Sequence, residues 1–327
     1  MIKILNPEEV NIAVIGDIML DIYNYGDAIR ISPEAPVPVF NSKEIKLFLG
    51  GAANTWLNLR NTGVNAYLFG RIGDDYYGTI LKQLLHTNRD DFKNTIFIDF
   101  KTPTITKERI VARSQQIVRI DKELITPITE NIVKFIYSGL EALNKNKKLD
   151  AIIISDYGKG IICDNLITAI KHDPALSCIK IFVDPFPKNY KLYEMAKYIT
   201  PNQKEFDEIG GLEVLHDKLN INNVIRTEGE GGITVFIKNI FSPFSYHIDT
   251  EQQNVYDVSG AGDTVIAIIS SMTSMGFALK DATYAANKCA GSVISQMGTT
   301  AVDSEFFKKT MNKIIDSGED YVKKPNN

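Results

Sequence analysis

The sequence predicts an α/β fold, a three-layer α/β/α core on a mostly parallel central sheet with a small β-sheet lid. Three observations predict it. Short apolar runs ending in Gly or Asp recur along the 327 residues, as strands covered on both faces require. Amphipathic stretches of helical period separate them, so strand and helix alternate. Two segments break that rhythm with period-two alternation.

The elements follow in order. Residues 12–16, Ile-Ala-Val-Ile-Gly, read as a buried strand that stops sharply at Gly16-Asp17. Residues 66–70, 151–156, 180–184 and 224–226 read the same way. Helical spacing covers 52–61, 76–86, 130–143, 165–171, 204–209, 261–275, 280–296 and 304–315. Between them, 22–49 carries Tyr23, Tyr25, Val37, Val39 and Phe40 among Pro33, Pro36 and Pro38, with no helical period. Residues 96–121 alternate through Arg109-Ile110-Val111-Ala112-Arg113 and Gln116-Ile117-Val118-Arg119-Ile120. Both segments are expected as antiparallel strands of one small sheet over the edge of the core, whose apolar face a second copy would cover. The polar tail from Tyr321 to Asn327 is expected to fray.

Composition narrows the function. Apolar residues make up 44% and charged residues 23%, ordinary for a soluble enzyme. Lys plus Arg number 36 and Asp plus Glu 40, a net charge of −4. That balance argues against a nucleic-acid binder and a polybasic membrane surface, though not against a local basic pocket. Cys163, Cys178 and Cys289 form no CxxC pair, which fits a reducing compartment. His86, His172, His216 and His247 are too far apart for an HxxxH zinc helix. The first eleven residues lack the apolar core of a signal peptide, and no run reaches the ~20 apolar residues that span a bilayer. A cytoplasmic protein is expected.

The strongest signal is Asp257-Val258-Ser259-Gly260-Ala261-Gly262-Asp263-Thr264, followed by the apolar run from Val265 to Ile269. Gly260 and Gly262 permit a tight turn. The helix then opens on unpaired N–H groups and a partial positive charge, an anion hole suited to a phosphoryl group. Asp263 in the first turn is placed to take a proton from an attacking hydroxyl. The same octet also reads as a plain strand-to-helix turn with an acid favoured by the dipole. The chain contains no GxxxxGK[ST], GxSxG, HRD or DFG motif.

The octet resembles the DTxGAGD signature of the ribokinase-like (PfkB) sugar kinases, with Val258 where Thr is common. Gly50-Gly51-Ala52-Ala53-Asn54 resembles the first signature of that family. Further segments, from Gly16-Asp17 to Asp21, Ile31 to Val39, Thr104 to Lys107 and Gln115 to Arg119, are similar to one branch of it. That branch is the D-glycero-β-D-manno-heptose-7-phosphate kinases of ADP-heptose (lipopolysaccharide core) synthesis. The resemblance implies a single kinase domain over 1–327, with lid strands drawn from about 22–49 and 96–121. Branch members are often fused to a nucleotidylyltransferase carrying HxGH. This sequence has no HxGH, so it resembles the kinase part, and a separate transferase is expected downstream.

Several residues read in two ways. Gly50 and Gly51 permit close backbone approach, and Asn54 offers donor and acceptor to sugar hydroxyls; the set also reads as a glycine-rich helix start. Asp17 and Asp21 follow the first strand at its carboxyl end, where ligands bind in open α/β sheets. They suit sugar diols, or serve as loop acids. Asp156 and Lys159 lie in Ser155-Asp156-Tyr157-Gly158-Lys159-Gly160, a segment the resemblance places beside substrate and phosphates, with Lys159 otherwise a solvated loop lysine. Lys107, Arg109, Arg113 and Arg119, with Arg30, form a candidate grip for a sugar phosphate, or a solvated sheet face. Even spacing puts Lys107, Arg109 and Arg113 on one face.

By resemblance, Thr200-Pro201-Asn202 with Glu205 matches PNxxE, implying Asn202 near the nucleotide phosphates and Glu205 organising Mg²⁺ through water. Thr227-Glu228-Gly229-Glu230-Gly231-Gly232 fits TxGxxG, which implies that Thr227, Gly229 and Gly232 hold ATP; read alone it is equally a hairpin turn. Asn287 resembles the adenine-side Asn, or is a helix-surface amide. The resemblance also implies a monovalent cation, K⁺, near Asp257 and Gly298. One departure stands out. Many branch members carry DPK where this chain has Asp184-Pro185-Phe186-Pro187-Lys188.

The expected reaction is ATP-dependent phosphorylation of the anomeric hydroxyl of the heptose 7-phosphate. Asp263 acts as base, and the amides of Gly260, Ala261 and Gly262 stabilise the transferring group. A related kinase for a hexose phosphate or free sugar, and a non-catalytic sugar or nucleotide sensor, are the alternatives.

Overall fold

Ile12, Ala13, Val14 and Ile15 are all fully buried, yet they serve two different cores. Ile12 and Val14 join an apolar cluster with Trp56, Ile266 and Cys289, whereas Ala13 and Ile15 join a second with Ile136, Leu166 and Leu215. A strand with helices on both faces has no wet side, so every position in the run is apolar. The computed structural model describes residues 4–86, 95–113, 115–239, 244–250 and 255–317. The tail from Tyr321 to Asn327 lies outside them.

The core sheet runs through β1 (Asn11–Gly16), β4 (Asn65–Gly73), β5 (Ile96–Asp99), β8 (Ala151–Ser155), β9 (Lys180–Asp184), β10 (Tyr198–Ile199), β11 (Asn223–Thr227), β12 (Ile233–Ile237) and β13 (Phe244–Ile248). The lid comprises β2 (Ile18–Ile31), β3 (Pro38–Gly51), β6 (Ile105–Ala112) and β7 (Gln115–Lys122). The helices are α1 (Ala52–Thr62), α2 (Tyr76–His86), α3 (Glu130–Lys147), α4 (Asp164–His172), α5 (Pro174–Ser177), α6 (Gln203–Ile209), α7 (Ala261–Met275), α8 (Leu279–Ile294) and α9 (Ser304–Ser317).

The core order is β13-β12-β11-β10-β9-β8-β1-β4-β5. Pairings from β5 to β11 are parallel, and only β11–β12 and β12–β13 are antiparallel. All five strands read from the sequence lie in this sheet. Helix α7 is buried from Asp263 to Met275, and its Ser270, Ser271 and Thr273 hydroxyls donate to carbonyls of the same helix. Among the described residues, no helix is long and apolar enough to cross a membrane.

The lid differs from expectation in two respects. Its order is β3-β2-β6-β7, and the central pair β2–β6 is parallel rather than antiparallel. Each hairpin, β2–β3 and β6–β7, is antiparallel within itself. They come from separate stretches of chain, so no tight turn dictates how they join. Residues 96–99 belong to the core, paired with β4 at its edge, and not to the lid. Four residues are too few for periodicity to separate a core strand from a lid strand.

The two sheets meet at Gly16-Asp17. Gly16 pairs with Ser155 in the core, and Ile18, one residue beyond Asp17, already pairs with Gly51 in the lid. This crossing brings the carboxyl ends of β1 and β8, the start of α1 and the root of the lid to one place.

Candidate active site

The first turn of α7 sets the geometry. Gly260 caps the helix at φ 85°, in the left-handed region. A Cβ there would lie 2.7 Å from Nδ2 of Asn54, so only glycine fits the turn and the contact together. The N–H of Ala261 reaches the Val258 carbonyl at only 3.4 Å, a weak partner for an amide at a helix start. Asp263 is 2% exposed. Its Oδ1 accepts hydrogen bonds from Thr55 Oγ1 at 2.7 Å and Tyr157 Oη at 2.9 Å, and its Oδ2 accepts one from Asn54 Nδ2 at 2.9 Å. Burial, opposed by those bonds, pushes its carboxyl up to about 6.

Asp21 lies close by, at the lid root. Its Oδ1 accepts from Arg109 Nη1 at 2.8 Å and its Oδ2 from Thr299 Oγ1 at 2.8 Å. A Cβ on Gly50 would stand 2.6 Å from Asp21 Oδ2, and Gly51 crosses the Asp17 carbonyl equally closely. Arg109 is therefore spent on Asp21, and its guanidinium stacks 4.9 Å from the Tyr23 ring centre. Of the expected basic cluster, Lys107 and Arg109 reach the site, Arg119 stands opposite Arg109 with its charge acting on Lys107, and Arg30 and Arg113 lie away from it. Arg119 is held by Asp121 at 2.8 Å, Arg30 is exposed beyond the far end of the β2–β6 pairing, and Arg113 leaves β6 at φ 48°. The one-face reading fails at Arg113 because the strand ends at Ala112.

The loop after β8 places three further candidates. Asp17 is fully buried, and its carboxylate accepts from the N–H groups of Tyr157, Lys159 and Ile161 at 3.0 to 3.1 Å. Those three N–H groups tie it to this loop. Asp156 likewise faces protein, accepting from the Gly158 N–H, Asn189 Nδ2 and Tyr193 Oη, and burial pushes it up to about 6. Lys159 Nζ donates to Glu123 Oε1 at 2.7 Å, and Glu123 Oε2 is buried with no partner. Lys188 is exposed, and the Phe186 ring supports Gly158 instead, within 2.6 Å of where its Cβ would be.

On the other side of the α7 turn lies a cavity of about 1080 Å³, lined among others by Thr227, Gly229, Gly232, Ala261, Gly262 and Asn287. Thr227 to Gly232 is a hairpin connection, β11 to β12, and it forms part of the cavity wall. The Asn287 amide is engaged at the cavity wall, donating to the Asp249 carbonyl and accepting from Thr250 Oγ1. Asn202 and Glu205 are absent from the lining. Together they form a capping box on α6, Asn202 Oδ1 accepting the Glu205 N–H and Glu205 Oε2 accepting the Asn202 N–H.

Two placements bear on cations. Burial raises the Glu205 carboxyl, and burial with the charges of Glu205 and Asp263 raises Asp184 strongly. Acids crowded this way suit a counter-cation. Asp257 accepts from Tyr23 Oη at 2.7 Å and from the Ser259 N–H at 2.9 Å, while Gly298 packs on the Phe48 ring. Thr300 Oγ1 nearby is buried without a partner, an oxygen available to an ion. Among the described residues, no group of three His, Cys, Asp or Glu is set to hold a metal.

Sequence reasoning missed Thr55, Tyr157, Asp184, Tyr23 and Thr299. Thr55 follows directly on Asn54 and Tyr157 sits inside the quoted 155–160 segment, so adjacency to a motif was the only signal. Thr299 and Tyr23 become visible only when the lid closes on the 298–300 turn.

A doubly wound sheet, a glycine-capped helix mouth facing a large cavity and a buried first-turn acid beneath a β lid define a small-molecule phosphotransferase of ribokinase-like fold. The chain belongs to the pfkB family of carbohydrate kinases, whose pattern matches residues 10–305, and is an ATP-dependent sugar kinase. It is 37% identical over 335 residues to the bifunctional protein HldE of Aliarcobacter butzleri, covering 96% of this chain and 68% of that one. With HldE of Methylobacillus flagellatus the identity is 36%, over 90% of this chain and 62% of the relative. The chain thus spans about two thirds of the length of these relatives. Among solved structures, phosphofructokinase-2 from Escherichia coli superimposes with a TM-score of 0.73 at 14% identity, covering 94% of this chain and 99% of that one. Ribokinase from Thermotoga maritima gives 0.71 at 20% identity, covering 93% and 99%. At such identities the likeness concerns the fold.

Proposed function

We propose that this kinase phosphorylates the anomeric hydroxyl of D-glycero-β-D-manno-heptose 7-phosphate, giving the 1,7-bisphosphate. The observation that carries the reading is that one helical turn faces two ways. Ala261 and Gly262 line the large cavity, while the Asp263 side chain turns to the lid root. ATP in the cavity would bring its γ-phosphate to that turn, and a sugar beneath the lid would bring a hydroxyl to Asp263. A bond forms between the hydroxyl oxygen and the γ-phosphorus, the bond to ADP breaks, and the proton passes to Asp263 Oδ2. Amides at Gly260, Ala261 and Gly262 bear the transferring charge.

Asp21, Gly50, Gly51 and Asn54 line the sugar side, and Lys107 with Lys159 supplies positive charge for a distant phosphate. Burial, then the Lys159 charge, lowers the Lys107 ammonium, a strain that a bound dianion relieves. The HldE relatives, at 33–37% identity, support a heptose phosphate over a free sugar. Glu205 would hold Mg²⁺ through water, where the ion would neutralise phosphate charge, and Asp257 with the Gly298 turn would hold K⁺. Use of ATP and a sugar phosphate supports a cytoplasmic enzyme. A nucleotidylyltransferase activity would consume the product. Exposed Ile29, Ile31, Val37 and Ile45 on the lid fit a second copy, which light scattering tests as a dimer mass.

A kinase assay over D-glycero-D-manno-heptose 7-phosphate, fructose 6-phosphate and ribose tests the assignment. The heptose phosphate should give the highest kcat/KM, and faster turnover of ribose would overturn it. Asp263→Asn should lose about 10²–10⁴-fold in kcat while still binding ATP.

A further inference from the structure

Tyr157 touches both halves of the sugar site. Its hydroxyl donates to Asp263 Oδ1 at 2.9 Å, and the Lys107 ammonium lies 5.7 Å from its ring centre. A carboxylate has about four acceptor positions. On Asp263, Thr55 and Tyr157 take both positions of Oδ1, and Asn54 takes one of Oδ2. One position remains, on Oδ2. We propose that Tyr157 is a positioning residue that fixes the Asp263 carboxylate so that only this last Oδ2 position meets the acceptor hydroxyl, while its ring face carries the lysine that grips the substrate phosphate. This rests on the assignment of Asp263 as base.

The surroundings leave the hydroxyl no other state. Tyr157 is half-buried, its hydroxyl donates to a buried carboxylate, and burial followed by the charges of Asp263, Asp184 and Asp21 raises it well above the ordinary tyrosine value. It is therefore an obligate donor. The groups facing Asp263 are Asn54 and Thr55 from α1, Tyr157 from the loop after β8, Asp21 from β2 and Asp184 from the end of β9. Among the described residues Asn54, Thr55 and Tyr157 donate to it, and of these Tyr157 extends to the phosphate side. The ring and the hydroxyl thus do separable work. Removing the hydroxyl affects the base, and removing the ring face affects Lys107.

The test is Tyr157→Phe in the full chain, read by ¹³C titration of the Asp263 carboxyl, with Asp263→Asn identifying the resonance. The midpoint should rise by about one pH unit. With the heptose 7-phosphate, kcat should fall about tenfold and the acidic limb of its pH profile should move up with the midpoint. The KM for the sugar phosphate should hold in Tyr157→Phe and rise in Lys107→Met, which should leave the midpoint in place. An unmoved midpoint in a folded Tyr157→Phe overturns the proposal. Should that variant not fold, the Tyr157 ¹³Cζ shift in the unaltered enzyme decides. It should move with the Asp263 midpoint and lose that step in Asp263→Asn, and a flat response overturns the coupling. Full turnover by Asp263→Asn would instead defeat the base assignment, a separate result from an unmoved midpoint.

Discussion

Asn54 Nδ2 donates to Asp263 Oδ2 at 2.9 Å, tying together the first turns of two helices whose residues stand 209 apart in sequence. Asn54 is itself braced, since Asn58 Nδ2 donates to its carbonyl at 2.9 Å, and Asn58 Oδ1 accepts from Thr264 Oγ1 and the Val302 N–H. The glycine-rich start of α1 and the glycine-capped mouth of α7 therefore form one polar unit.

Asn54→Ala removes a donor that favours the ionised base. At pH 6 kcat should fall about tenfold, as expected for one hydrogen bond to a charged group. The deficit should shrink at higher pH, because the base then ionises without help. A pH series of initial rates checks this.

Gly260→Ala should harm both stability and rate. Its φ of 85° costs a residue with a Cβ about 1–2 kcal/mol, and the new methyl would press on Asn54 Nδ2 at 2.7 Å. A lower midpoint in urea together with a kcat loss at least as large as that of Asn54→Ala is expected.

The pH dependence has a definite sign. Asp156 and Asp263 both hold protons up to about 6 when folded, against an ordinary value of 3.8. A raised folded pKa means that the stability it confers is present below the unfolded value and lost as pH rises through the folded one. The ligand-free enzyme should melt lower at pH 7.5 than at pH 5, and Asp263→Asn should narrow the gap. Turnover runs the other way, falling as pH drops through about 6 and the base protonates.

Arg109→Met strands a buried carboxylate. The side chains of Arg109 and Asp21 are 11% and 6% exposed, and their 2.8 Å ion pair leaves Thr299 as the other donor to Asp21. Removing one partner of such a pair costs about 3–5 kcal/mol. Equilibrium denaturation should register that loss, with Arg109→Lys recovering part of it.

The sequence by itself determined the layered sheet, its buried strands, α7 with its glycine mouth and the family. These are local properties, since a strand dry on both faces writes itself as an unbroken apolar run and a helix start needs its glycines in a row. Side-chain partnership is not local. Asp17 and Asp21 look alike in the chain, four residues apart after the same strand, yet one is consumed by three backbone N–H groups and the other by Arg109. Lys107 and Arg113 share an alternation, but only Lys107 lies over Tyr157. Which acid meets a donor, and how the two lid hairpins join as a parallel pair, depends on where distant segments cross. Packing and desolvation of whole layers decide that, so only the tertiary structure could.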